Sequence, residues 1–526
     1  LRAVLRNNFT FNSFLRIFRP IFQAKEIILN LSSIIDHSAL YFKDKIALAY
    51  GKKRYAYGRL KSAMERIAFY LRDQGVGRGD RIAIFMPNRP EWVAVYYAII
   101  RVGAVAVCIS SAYKKKEIEH LLKESVVSLV ITCDELLSQI PERKNIPSVK
   151  QVVVWENDPV LSSIWETSSS KEAPFLPVDC DVNDACVILF TGGTTGVPKG
   201  AMLTHGNILF TAQNVCYHER TVPADVALCF MPLNHVFGGN HIMNSTLYAC
   251  GTLALHKGFD MDRVLASIQG DKVTRFYSVP TVFIRLLNTP DSRRYLSAVN
   301  YCFSAATSMA SEIVRQWQAV FNLRIHEAYG LTETSSLVTF NHLYHHRVGS
   351  VGTPAGVVEV KIVDKEGREL PVGETGEIAV RGPNVMKGYF NKAEETAIAL
   401  RNRWLHSGDI GRLDGDGYLY IVDRIKDMII SGGLNVYPTE VEEVLYTHKA
   451  VEECTVIGMP HTEYGEAVTA FVKVKQGLTC SEADLIAFCK ERIASYKAPK
   501  KIMFVKELPK SPAGKILKRE IRKSFK

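Results

Sequence analysis

The 526-residue sequence holds 11 cysteines but no CxxC pair, and its closest two cysteines, Cys180 and Cys186, lie too far apart for one. That excludes a zinc-ribbon spacing and a thioredoxin-type redox motif. Scattered single thiols in a chain of this length predict reduced, mostly buried side chains in a cytosol-like compartment. No apolar run is long enough to read as a membrane span. The nearest, Trp92–Ile109, is interrupted by Arg101 and Gly103, and reads as a helix, Trp92–Val102, followed by a buried strand at Val105–Val107. Internal repeats and low-complexity tracts are also missing, which excludes solenoid and propeller architectures. Acidic residues are absent from the first 25 positions, where Arg2, Arg6, Arg16, Arg19 and Lys25 alternate with Phe9, Phe11, Phe14, Phe18 and Phe22. Such a stretch suits peripheral contact with an anionic membrane, a transit segment, or simple packing on the protein body.

What is present describes a multidomain globular chain. Hydrophobic residues make up 47% and charged residues 23%, enough apolar mass for sizeable cores. Lys and Arg outnumber Asp and Glu by 65 to 54, for a formal net charge of +11. A basic balance suits polyanionic ligands or acidic surfaces and does not choose among them.

From about residue 34 to 329, apolar strands alternate with helices. Asp80–Met86, Val126–Thr132, Gln151–Trp155 and Thr274–Val279 read as strands, and Glu117–Ser125 as an amphipathic helix. That rhythm predicts an α/β fold with open, mainly parallel sheets. After Gly349 the strands become short and are separated by Gly and Pro: Val358–Val363, Gly376–Arg381 and Gly417–Val422. These predict an antiparallel element, read as a small β-barrel. A last α+β region follows residue 427. The expected organisation is an N-terminal extension (1–33), a large domain (34–423), a hinge (424–427) and a smaller, mobile C-terminal domain (428–526).

The strongest local signal is Thr191-Gly192-Gly193-Thr194-Thr195-Gly196-Val197-Pro198-Lys199-Gly200, entered directly from the apolar strand Ala185–Phe190. Glycines let backbone N–H groups converge on an anion, threonine hydroxyls add donors, and Lys199 adds a full charge. This is a polyphosphate cradle. It is not the common P-loop, because Val197 and Pro198 precede the lysine and Gly200 follows it.

This loop resembles the phosphate loop of the adenylate-forming superfamily: acyl- and aryl-CoA synthetases, peptide-synthetase adenylation domains and beetle luciferases. Further motifs recur in the family's order: Tyr329-Gly330-Leu331-Thr332-Glu333, Gly376–Gly382, Trp404–Asp409, Asp423–Asp427, Ser431–Pro438 and Pro512-Ala513-Gly514-Lys515. Together they cover residues 34–526. One departure is Gly192, where the family more often has Ser; a hydroxyl donor is lost there but the amide remains.

The resemblance implies roles that elementary chemistry supports. Glu333, beside Thr332, is a hard oxygen ligand for Mg²⁺ on the phosphates. Asp409 and Arg424 would hold the ribose. Tyr329 would face adenine, with Glu327, Ala328, Ala305, Ala306 and Gly330 around the base. An aromatic next to a Gly can equally be core packing. Lys515 would be the adenylation lysine, neutralising charge on the carboxylate and α-phosphate. His235, Phe237, Gly238 and Gly330 would border the acid pocket, with Val338 in its wall, although a buried histidine is also an ordinary core residue. No acid lies between Met231 and Ser245, which disfavours a substrate with an α-ammonium. Lys426 would be the hinge, and Ser431, Gly432 and Gly433 would line a channel for the CoA arm.

The implied activity is ligation of a fatty or aryl acid to CoA through an acyl-adenylate. ATP and CoA would be co-substrates and Mg²⁺ the metal, with no nucleic-acid partner. The sequence leaves the oligomeric state open. It predicts a cytoplasmic enzyme, with membrane association through residues 1–25 as one reading. Two rivals stand beside it: an acyl-AMP ligase that loads a carrier protein, and a non-catalytic acyl-chain binding protein at a membrane. The second would not need Lys515, Glu333 and Asp409 together.

Overall fold

The computed structural model describes residues 30–166, 174–192, 198–305, 307–511 and 514–524. The region before residue 30, and with it the expected membrane contact of residues 1–25, lies outside the described residues.

Two large sheets form the body. In one, six strands run parallel in the order Ile325–Tyr329, Tyr301–Ser304, Arg275–Ser278, Val226–Cys229, Thr252–Leu255 and Ile46–Tyr50. Short antiparallel strands extend both edges to nine. The second sheet has seven strands, five of them parallel: Ala185–Gly192, Val105–Cys108, Arg81–Phe85, Leu129–Thr132 and Gln151–Val154. Both faces of this sheet are covered. Along Arg81–Phe85, Ile82 and Ile84 point into the main core while Ala83 and Phe85 join a second cluster on the other side. That is why these strands read as continuous apolar runs rather than alternating ones.

The apolar stretch that could have suggested a membrane span is the helix Pro90–Arg101, buried along its whole length, followed by the strand Val105–Cys108. The one charge within Trp92–Ile109 is paired: Arg101, 2% exposed, bonds Asp36 at 2.8 Å and Glu65 at 3.3 Å. A buried guanidinium is tolerated only with such partners. Among the described residues no helix is long and apolar enough to cross a membrane. All eleven cysteines are unpaired.

The expected barrel is an open sheet. Glu359–Val363, Gly376–Arg381, Leu405–Leu413 and Leu419–Arg424 pair antiparallel in that order, and the first and last do not pair with each other. Four strands are too few to close around a filled interior.

The last member of the main core is Leu419, and the next apolar cluster begins at Ile429. Between them lies the short helical turn Ile425–Asp427. The C-terminal region has its own five-stranded sheet, built on the hairpin Val451–His461 and Gly465–Val474. Its helices are Pro438–Tyr446, Glu482–Lys490 and Lys518–Ser524.

Candidate active site

The parallel strands Arg275–Ser278, Tyr301–Ser304 and Ile325–Tyr329 end side by side. Crevices at the carboxyl ends of such strands are the usual ligand sites of open α/β sheets. Here the crevice opens into a cavity of about 670 Å³ roofed by the C-terminal region. Glu327, Tyr329, Asp409, Arg424, Lys426 and Lys515 all line it, as do Ala328 and Gly330. Residues separated by nearly two hundred positions are thus brought to one place.

Asp409 and Arg424 face each other across neighbouring antiparallel strands, and Arg424 Nε donates to Asp409 Oδ1 at 2.6 Å. The Tyr329 hydroxyl donates to the other carboxylate oxygen at 2.7 Å. A carboxylate has about four lone-pair positions, so Asp409 can still accept from a ribose. Tyr329 therefore does something the sequence reading did not assign: it orients the carboxylate of Asp409.

Glu327 is buried, and its Oε2 has no hydrogen-bond partner. Burial pushes its carboxyl up to about 8, against a backbone N–H bond from Met309. Ser304 Oγ in the same wall is also unpartnered. Unsatisfied polar atoms on a cavity wall are what a nucleobase with its own donors and acceptors would complete. Ala305 continues directly from Ser304, with its N–H on Ser278 O at 3.2 Å; Ala306 lies outside the described residues.

The glycine- and threonine-rich segment joins two antiparallel strands whose register pairs Thr191 with Lys199 and Gly192 with Pro198. Gly193, Thr194, Thr195 and Gly196 lie outside the described residues. At the base of this hairpin the Thr191 hydroxyl is 3.4 Å from Glu333 Oε1, which also accepts from the Tyr389 hydroxyl at 2.8 Å. Lys199 Nζ lies 5.3 Å from the centre of the Tyr389 ring. Tyr389 thus ties the candidate metal carboxylate to the phosphate-loop lysine, and it was missed from sequence. The local signal is weak, because Gly388-Tyr389 follows Gly373, Gly376 and Gly382 with nothing to set it apart. Thr332 opens the short helical turn that carries Glu333. Among the described residues no group of three or more His, Cys, Asp or Glu could hold a metal. One carboxylate and a hydroxyl still fit Mg²⁺, which is commonly held by one or two carboxylates plus substrate phosphates.

Lys515 lies among like charges. Burial, and then Arg424, push its ammonium down to about 8, while Asp409 pulls the other way. His235 is lowered to about 4 by burial and by Lys515, so it is neutral at physiological pH. Phe237 is buried against His241 and Phe303, with ring centres 5.6 and 5.8 Å apart. Behind it runs a buried network that sequence reasoning missed. His241 Nε2 is 2.9 Å from Glu219, His241 Nδ1 is 3.2 Å from the Ser336 hydroxyl, and Tyr277 bonds Glu219 as well. The network is satisfied when Nε2 donates to Glu219 and Ser336 donates to Nδ1.

Local backbone geometry accounts for several of these residues in this pose. At Gly238 a Cβ would lie 2.3 Å from the Pro232 carbonyl oxygen, so the glycine lets its own backbone turn close. Val338 is fully buried core with its N–H on Tyr329 O, not an exposed wall. Gly330 is required for a different close approach, since a Cβ would lie 2.0 Å from the Ser336 carbonyl oxygen. Ser431, Gly432 and Gly433 do not line the cavity. They form a hairpin turn that pairs Ser431 with Leu434, and φ values of 59° and 78° at Gly432 and Gly433 are those of a type I′ turn. In this arrangement the turn itself accounts for the two glycines. Lys518, by contrast, lines the cavity and pairs with Glu442 at 3.1 Å. Cys454 lines it too, with its thiol pushed well up by burial.

The chain belongs to the AMP-binding enzyme family, whose model matches residues 35–390; the family's C-terminal domain matches residues 440–515. It is 36% identical over 525 residues to a long-chain-fatty-acid–CoA ligase of Bacillus subtilis, covering 93% of this chain and 94% of the relative. It is 36% identical over 482 residues to a feruloyl-CoA synthase of an Amycolatopsis species, covering 91% and 96%. Among solved structures it is similar to an anthranilate CoA ligase in complex with anthranoyl-AMP, with a TM-score of 0.89 and 28% identity over 95% of this chain and 98% of that one.

Proposed function

We propose that the substrate is a fatty or aryl carboxylic acid, and that the cavity residues divide the work of joining it to CoA. The chain is an ATP-dependent, AMP-forming acyl-CoA ligase. In the first step a carboxylate oxygen of the acid bonds to the α-phosphorus of ATP and the bond to pyrophosphate breaks. In the second, the thiol of CoA bonds to the acyl carbon and AMP leaves.

One observation carries the assignment of roles. Lys515, from beyond the turn Ile425–Asp427, stands in the same cavity as Asp409, Arg424 and Tyr329 of the large domain. Asp409 and Arg424 hold the ribose, and Glu327, Ala328 and Ala305 border the base. Lys199 with the loop before it takes the β- and γ-phosphates. Glu333 and Thr191 would hold Mg²⁺, which would neutralise phosphate charge. Lys515 stabilises the charge that develops between carboxylate and α-phosphate. Neutral His235 and Phe237 border the acid without adding a charge to its tail. The absence of an acid from Met231 to Ser245 supports a substrate lacking an α-ammonium.

The pose is the one for adenylation, with Lys515 inserted. Rotation about Lys426 in the 424–427 hinge would withdraw it and bring the Ser431–Gly433 turn towards the cavity for the thiol step. Acid-dependent ATP–pyrophosphate exchange, run with fatty, aryl and amino acids, tests the substrate class. Thioester formed with CoA is measured beside it. Exchange confined to amino acids would overturn the reading, and exchange without CoA thioester would point to a carrier-protein acceptor.

A further inference from the structure

The helix Ser311–Phe321 belongs to the large domain and starts at the edge of the cavity. Its N-cap position is Ala310, which offers no side-chain acceptor. Alanine is a poor N-cap because the first backbone N–H groups of a helix then lack partners. In this structure the missing acceptor comes from the other domain. Both carboxylate oxygens of Glu443, on the helix Pro438–Tyr446, lie within reach of the Ser311 N–H, at 3.2 and 3.1 Å. Ala310 and Glu443 line the same cavity as Lys515.

We propose that Glu443 is a positioning residue that fastens the C-terminal domain with Lys515 inside the cavity, by capping the helix Ser311–Phe321 across the domain boundary. This rests on the two-pose reading above. The charges around it agree with the role. Burial raises the Glu443 carboxyl, while the Ser311 N–H and Arg315 favour its ionised form. Glu327 on the cavity wall and Glu442 next in the chain are the like charges facing it. A carboxylate at a helix N-terminus is favourable both as an acceptor and against the helix dipole. Glu443 follows the hinge and therefore travels with Lys515. The cap exists only while the lysine is in place, so breaking it selectively weakens the adenylating pose.

The two ends of the contact can be cut separately. Glu443→Ala removes the acceptor, and Glu443→Gln keeps a carbonyl oxygen in its place. Ser311→Pro removes the donor where proline is well tolerated, at the first helical position. Ala310 already has the extended conformation that a following proline requires, at φ −61° and ψ 130°. Acid-dependent ATP–pyrophosphate exchange should fall about tenfold in Glu443→Ala and in Ser311→Pro. The double variant should be no worse than either single one, and Glu443→Gln should stay within about threefold of the parent. Conversion of supplied acyl-AMP and CoA to thioester should be nearly unchanged in all of them. Tryptic cleavage after Lys426, followed without substrates, should be faster in Glu443→Ala and Ser311→Pro than in the parent. Equal loss in both half-reactions, additive single effects, or unchanged exchange and cleavage would overturn the proposal. Absence of exchange in the parent chain would instead count against the ligase reading, leaving the cleavage rates to judge the latch.

Discussion

The Tyr329 hydroxyl donates to Asp409 Oδ2 at 2.7 Å, while Arg424 holds the other oxygen of the same carboxylate at 2.6 Å. The carboxylate that would receive a ribose is therefore fixed from two sides before any nucleotide arrives. Tyr329→Phe keeps the aromatic face and removes only that bond. KM for ATP should rise about tenfold in steady-state assays, with kcat changed by less than about threefold. A larger loss in kcat than in affinity would mean that Tyr329 acts on the reacting phosphate instead.

Lys515→Ala should slow adenylation by roughly 10²–10³-fold and spare the thiol step. Each half-reaction is measured alone, with ATP–pyrophosphate exchange for the first and supplied acyl-AMP plus CoA for the second. Equal losses in both would make Lys515 a general nucleotide-binding residue.

The same lysine sets a pH limit. A lysine is charged below its pKa, and burial beside Arg424 and Lys426 lowers that of Lys515 to about 8. The role proposed for it in adenylation uses the charged form. Exchange kcat/KM, which reports the free enzyme, should therefore fall as pH rises through about 8. Lys515→Arg, however weak, should move that limb upward.

Glu327 should be legible in stability. Its folded carboxyl is raised to about 8 from the ordinary value of 4.5, so the folded chain holds its proton where the unfolded chain has lost it. Stability from this group therefore declines as pH rises from about 4.5 to about 8 and is level beyond. Glu327→Gln removes the titration and keeps an acceptor for the Met309 N–H. Its thermal midpoint should match the parent near pH 4 and exceed it by a growing margin up to about pH 8. A constant difference across that range would contradict the assignment.

Removal of residues 1–29 should preserve exchange activity and reduce co-sedimentation with anionic liposomes. The cut must stop there, because the Asn30 side chain donates to Ile100 O and Val178 O, both at 2.9 Å. Equal sedimentation of the two forms would assign the basic, phenylalanine-rich stretch to packing.

Much of this was legible in the sequence, for identifiable reasons. The parallel strands announced themselves as apolar runs because both sheet faces are buried. Lys199, Glu333, Asp409 and Lys515 stood in motifs whose chemistry has few other uses. What the sequence left out is of one kind. Tyr389 and Glu443 act through contacts made with residues far away in the chain, and nothing near them in sequence marks the contact. Gly238 and the Gly432-Gly433 pair were read only in terms of a ligand, and each also meets a demand of its own backbone. Pro232 O beside the first, and the hairpin turn formed by the second, are backbone demands that composition does not distinguish from ligand demands. The expected barrel failed because strand count and closure are properties of pairing, not of strand propensity.

Cys454 in the cavity wall has a consequence for selectivity. An acyl-adenylate is a strong acylating agent, and any thiolate within reach would compete with CoA for it. Burial keeps the Cys454 sulfur protonated, and a neutral thiol is a poor nucleophile. An acyl-adenylate formed in this cavity would thus meet, at Cys454, a sulfur slow to be acylated. The only thiol that needs to be ionised is the one that arrives with the substrate.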